Sequence, residues 1–147
     1  MYKEEFMNLA IKEAVAASRE DEVPIGAVIV KDGKVIAKAH NKKVKKQAAT
    51  AHSEIECIKK ASKKLETWHL DNCDIYITLE PCIMCAGAII NARIKNVYYA
   101  AKDPKGGAMG SNMDITLVRK LNHYPHYEFK EDQDYIKLLK EFFKNKR

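Results

Sequence analysis

Apolar and polar positions change period several times along the chain. Phe6, Leu9, Ala10, Ala14 and Ala17 recur at helical spacing with lysines and glutamates between them, which predicts an amphipathic helix over residues 3–19 that ends before Pro24. Residues 25–30 are then an unbroken apolar run of strand length. Lys31-Asp32-Gly33-Lys34 reads as a tight turn, and residues 35–39 as the partner strand. Periodicity is absent from His40 to Thr50, where Lys42, Lys43, Lys45 and Lys46 crowd what reads as a surface loop. A second helix is expected from His52 to Leu65, burying Ile55, Ile58, Ala61 and Leu65. Strands are expected over 73–79 and 96–101, with a helix between them that begins at Pro81 and runs through Ile90. A short strand near 127–129 and a closing helix from Asp132 complete the pattern; Tyr135, Ile136, Leu138, Leu139, Phe142 and Phe143 give that helix a broad apolar face. Strands alternating with helices after an opening hairpin imply an α/β fold, a mixed sheet with helices on both faces. With no repeats, low-complexity tracts or linkers, residues 1–147 read as one domain.

The chemistry concentrates in two short stretches, Ala51-His52-Ser53-Glu54 and Glu80-Pro81-Cys82-Ile83-Met84-Cys85. Cys82 and Cys85 lie three apart, so the first turn of a helix aims both sulfurs at one cation, and His52 supplies a third ligand from another element. Three protein ligands and an open fourth position is the catalytic zinc arrangement, whereas a structural zinc closes all four. Glu54 is near enough to act on a water at that position without being a ligand. His-x-Glu followed by Pro-Cys-x-x-Cys is the signature of zinc nucleobase deaminases. Both metal-bearing segments read as helix starts, where partial positive charge favours thiolate. Residues two apart on a regular helix point in nearly opposite directions, so His52 and Glu54 share a target only if His52 lies at the very end of its helix. A glutamate that both takes and gives protons works best in a partly desolvated pocket.

Other residues carry weaker signals. Cys57 and Cys73 read as core thiols, and His69 beside Trp68 as a packing histidine. His40, His123 and His126 fall in predicted loops as bystanders. The glycine-rich segment 103–110 lacks the Gly-Lys-[Ser/Thr] element of a phosphate loop and reads as a flexible loop beside the site.

Composition narrows the setting. At 147 residues, 46% hydrophobic and 31% charged, the chain has the make-up of an ordinary soluble globular protein. No apolar run is long enough for a bilayer, and the start lacks a charged-then-apolar leader, so neither a membrane nor secretion is expected. Four cysteines, two of them so close, then point to metal binding in a reducing cytoplasm over disulfides. The formal charge of +6 suits a polyanionic partner, although scattered lysines are also what a solvated surface carries.

Beyond the metal motif, residues 78–94, residues 101–114, Leu121-Asn122-His123 and the ending 142–147 closely resemble the bacterial tRNA adenosine deaminase family. The resemblance covers essentially the whole chain. It implies a three-layer α/β/α cytidine deaminase-like fold with a mixed sheet of about five strands. It further implies one zinc ion per chain, held by His52, Cys82 and Cys85, with Glu54 as the catalytic proton carrier. The reaction would convert adenosine to inosine at the wobble position of a tRNA anticodon, in a homodimer. Asn41 matches the family's asparagine on the flipped purine, and Asn122 one near the bound nucleotides; on the residues alone each is a loop asparagine. Lysines before His52, at Lys102 and Lys105 and in the last helix would hold phosphates of the anticodon arm.

Two departures from the family pattern sit at the pocket edge: Ser53 where alanine is usual, and Ala48-Ala49-Thr50-Ala51 where Asp-Pro-Thr-Ala is common. Two other functions remain compatible with the motifs. One is deamination of a free base or nucleoside such as guanine, cytosine or cytidine. The other is a non-catalytic, zinc-stabilised RNA-binding module with Glu54 on its surface.

Overall fold

Asp32 and Gly33 both adopt positive φ, 51° and 73°, the backbone of a two-residue hairpin turn whose twist matches that of its strands. They join β1 (Gly26–Lys31) to β2 (Lys34–His40) as an antiparallel pair. The computed structural model describes residues 1–146; Arg147, the last residue of the family-like ending, lies outside the described residues. β3 (Cys73–Leu79), β4 (Asn96–Ala101) and β5 (His126–Phe129) complete a five-stranded sheet in the order β2-β1-β3-β4-β5. β1 pairs antiparallel with β3, and β3–β4 and β4–β5 are parallel, so the sheet is mixed.

Alternate strand residues serve two different cores. Ala27, Ile29, Ile75, Ile77, Val97 and Tyr99 meet Cys57 and Ala61 of α2 (Ser53–Leu65) and Ala86 and Ile89 of α3 (Ile83–Asn91). Val28, Val30, Tyr76, Tyr98 and Ala100 meet Phe6, Met7, Ala10 and Ala14 of α1 (Glu4–Arg19) and Tyr135 of α4 (Gln133–Asn145). A strand covered on both faces needs apolar residues at every position, which is why β1 is an uninterrupted run. The three-layer α/β/α arrangement follows. Gly26 is required for close approach: a Cβ there would overlap the α1 backbone at Ala10 and Ala14.

Several boundaries differ from the sequence expectation, each for a local reason. α1 buries Met7 where Leu9 was expected; Leu9 is half-buried. α2 turns Glu54, Glu56, Cys57 and Ala61 inward, leaving Ile55, Ile58 and Leu65 half-buried. The buried carboxylates have partners, Lys46 and Lys59 for Glu56 and Ser53 for Glu54, so polarity did not keep them out. Helix α3 starts at Ile83, two residues after Pro81, with Cys82 as its N-cap. Of α4 only Tyr135 is buried, and Phe143 is exposed. Asp132 caps α4 by accepting the Tyr135 N–H at 2.9 Å. His40 ends β2 and His126 begins β5, so neither is a loop residue. Among the described residues no helix is long and apolar enough to cross a membrane.

Candidate metal and catalytic site

β2 ends at His40, β3 at Leu79 and β4 at Ala101, and the pairing directions bring those three ends to one edge of the sheet. α2 and α3 begin at the same edge, the usual place for a site in an open α/β sheet. His52 is the N-cap of α2 (φ −72°, ψ 154°) and Cys82 the N-cap of α3 (φ −74°, ψ 175°). Neither side chain makes a capping hydrogen bond, so both remain free to ligate. The extended backbone at His52 breaks the helical phase and lets the imidazole and Glu54 serve one site. Cys85, one turn into α3, is fully buried.

The three groups meet. His52 Nδ1 lies 3.8 Å from Cys82 Sγ and 3.5 Å from Cys85 Sγ, and all three ligand atoms fall within 4.8 Å of one another. This cluster can hold a metal ion, and no fourth His, Cys, Asp or Glu among the described residues joins it. The Cys82 thiol is pulled down to about 3, chiefly because Cys85 donates to its sulfur, with His52 adding to the effect. Cys85 is pushed up, since its proton serves the neighbouring Cys82 sulfur and burial opposes a second negative charge. His52 is raised by its bond to Cys82. The pairing thus favours the thiolate at Cys82, the form that binds metal.

Glu54 is 4% exposed. Burial pushes its carboxyl upward, opposed by the Ser53 hydroxyl, which donates to Oε1 at 2.7 Å. Its charge acts on Cys85 and His52, so it stands beside the cluster and not on the surface. Asn41 follows β2 directly and is also buried. With Val23, Ile25, Lys43, His52 and Ser53 it lines a cavity of about 170 Å³. Its Oδ1 accepts the Lys43 N–H at 3.2 Å.

Residues 1–147 match the family model of MafB19-like deaminases. A tRNA-specific adenosine deaminase of Aquifex aeolicus is 43% identical over 147 residues, covering 100% of this chain and 97% of that one. The chain belongs to the tRNA-specific adenosine deaminase family. A solved structure from work on A-to-I editing by tRNA:A34 deaminases superposes with a TM-score of 0.83 at 46% identity, covering 85% of this chain and 96% of the other. Guanine deaminase from Bacillus subtilis is more distant, at TM-score 0.67 and 32% identity, covering 98% of this chain and 95% of that one.

In this deaminase Asn122 is not brought to the cluster within one chain. It is exposed and lines a separate cavity of about 330 Å³ with Trp68, Ile90, Asn91, Arg93 and Leu121. That cavity lies at the C-terminal end of α3, roughly 13 Å of helix from Cys82. Trp68 and His69 stack at 3.6 Å on the surface, so His69 is exposed and not a packing histidine. His40 is held between Glu13 (2.9 Å) and Glu20 (2.5 Å), and His123 Nε2 bonds the Ile94 carbonyl at 2.6 Å. Cys57 and Cys73 are free buried thiols, pushed upward by burial.

Two carboxylates of the deaminase site were missed in the sequence. Glu80, 2% exposed, accepts the N–H groups of Asp103, Met109 and Ser111, each at 3.1 Å, and the Ser111 hydroxyl. The glycine-rich segment is therefore pinned beside the site instead of flexible. It also touches the metal segment: Gly107 bridges to Cys82, and the Ala108 N–H donates to the Pro81 carbonyl. Glu22, 1% exposed, accepts the N–H groups of Val44 (3.0 Å) and Lys45 (2.7 Å) and so shapes the loop before His52. The signal available for Glu80 was its place directly before Pro81-Cys82; Glu22 offered none.

Proposed function

We propose that this chain is a zinc-dependent hydrolytic deaminase converting adenosine to inosine at the wobble position of a tRNA anticodon. On this reading residues 1–147 are one deaminase domain, active as a homodimer in the cytoplasm. The observation that carries it is the His52, Cys82 and Cys85 cluster beside a buried Glu54, at N–S separations of 3.8 and 3.5 Å. Zn–S bonds of about 2.3 Å and Zn–N bonds of about 2.0 Å at tetrahedral angles place nitrogen and sulfur about 3.5 Å apart, so the donor set fits zinc, one per chain. When bound, zinc supplies Lewis acidity that lowers the pKa of its water from about 15.7 to about 7.

The residues then divide the work. Glu54 takes the water proton and delivers it to the ring nitrogen and on to the departing amine, so that adenosine and water give inosine and ammonia. Its buried, upward-shifted carboxyl suits both directions of transfer. Asn41, in the cavity that His52 also lines, hydrogen-bonds the flipped purine. Asn122, exposed near Arg93, contacts nucleotides outside the pocket. A groove of about 690 Å³ lined by Lys102, Lys105, Phe143 and Lys146 offers charge for phosphates and an aromatic face for a base. Free buried thiols at Cys57 and Cys73 suit a reducing compartment.

The likeness to guanine deaminase supports a second reading, deamination of a free base at the same site. Inosine formation on an anticodon stem-loop carrying a wobble adenosine, run beside free guanine, cytosine and cytidine, separates them. Inosine in the RNA with the free bases untouched is the expected result; ammonia from a free base alone overturns the substrate. Glu54→Ala should lose roughly 10²- to 10⁴-fold in turnover while zinc stays bound. Retained turnover in that variant would remove Glu54 from the mechanism.

A further inference from the structure

Ser53 stands between a metal ligand and the proton carrier, as the first residue of α2. It has no solvent exposure, and its hydroxyl donates to Glu54 Oε1 at 2.7 Å. A serine hydroxyl has one proton to give. Here that proton is committed to the carboxylate, so Ser53 has none left to offer a ligand even though it lines the cavity with Asn41 and His52. The bond holds the Glu54 carboxylate through Oε1 and leaves lone pairs on both oxygens open to exchange protons.

We infer that Ser53 is a positioning residue, which orients the Glu54 carboxylate for proton transfer through its buried hydrogen bond to Oε1. The inference rests on Glu54 being the proton carrier of the proposed deamination. A glutamate side chain has three rotatable bonds, and a donor fixed to the start of the same helix removes the freedom of the last of them. Proton transfer depends on heavy-atom separations of hydrogen-bond length, so a carboxylate free to turn spends less time in reach. Such a residue affects turnover. A residue that read the substrate would affect KM.

Ser53→Ala removes the donor without adding volume, so the fold should tolerate it. The 147-residue, zinc-loaded variant should show kcat lowered about tenfold on the wobble-adenosine stem-loop, a fraction of the roughly 10²- to 10⁴-fold a positioned acid–base group supplies. KM and zinc content should stay at their starting values. Ser53→Thr, which keeps the hydroxyl, should restore most of kcat. A crystal structure of Ser53→Ala should show the Glu54 carboxylate rotated from its position in the parent chain. An unchanged kcat, a raised KM, lost zinc or an unmoved carboxylate would each overturn the role. Should the parent chain make no inosine, the proposed substrate falls, and the carboxylate orientation in the two crystal structures still decides the role of Ser53.

Discussion

Tyr127 and Asp114 show how one hydrogen bond writes itself into pH dependence. The Tyr127 hydroxyl donates to Asp114 Oδ2 at 2.6 Å, joining β5 to the segment after the glycine-rich loop. That bond, more than burial, raises Tyr127 from 10.0 to about 12. A folded pKa above the unfolded one means that the contribution to stability is complete below pH 10.0 and is lost as pH rises towards about 12. Urea midpoints across that range should fall more steeply for the parent chain than for Tyr127→Phe. Parallel curves would mean that the bond is not retained in solution. At the acid end burial pushes Asp114 up, but the Thr116 and Tyr127 hydrogen bonds together leave it below its usual range. Single residues of this kind were illegible in the sequence: nothing in Asp114 or Tyr127, 13 positions apart, announces that they touch.

At the scale of elements, two helix N-termini and one loop make the site. The spacing in Cys82-x-x-Cys85 and the His52-x-Glu54 pair was legible because a helix start is a local event, set by a few neighbouring dihedrals. The requirement that His52 lie outside helical geometry followed from the same local reasoning, and its extended backbone meets it. The buried face of α2 was less legible, since periodicity counts apolar residues and α2 buries two glutamates. The glycine-rich loop depends on Glu80 for three backbone acceptor contacts. Glu80→Ala would strand those N–H groups and should destabilise the fold by about 3 kcal/mol. Thermal unfolding with a zinc assay checks this, and an unchanged Tm would show that the loop holds without its carboxylate. Gly107 belongs to the same device, because a Cβ there would overlap the Glu80 carboxylate.

For the molecule as a whole, a cation at His52, Cys82 and Cys85 would tie α2 to α3 across the sheet edge. Removing the proposed zinc with a chelator should therefore abolish turnover and lower stability together. Metal at a thousandfold excess over Kd contributes about 4 kcal/mol. For a chain of this length that corresponds to roughly 10 °C in Tm. Calorimetry with and without chelator measures it, and a Tm indifferent to metal would show that the cluster binds none. The order and type of the main elements, the hairpin turn at Asp32-Gly33 and the His52, Cys82 and Cys85 set able to hold a metal were legible in the chain alone, because periodicity, turn chemistry and ligand spacing act over a few residues. Packing between distant segments settled which carboxylates are buried, that Ser53 bonds Glu54, that Glu80 pins the loop, and that Asn41 shares a cavity with His52 while Asn122 lines another. Those outcomes depend on which strand ends share an edge of the sheet, and strand order joins residues far apart in the chain through packing on both faces.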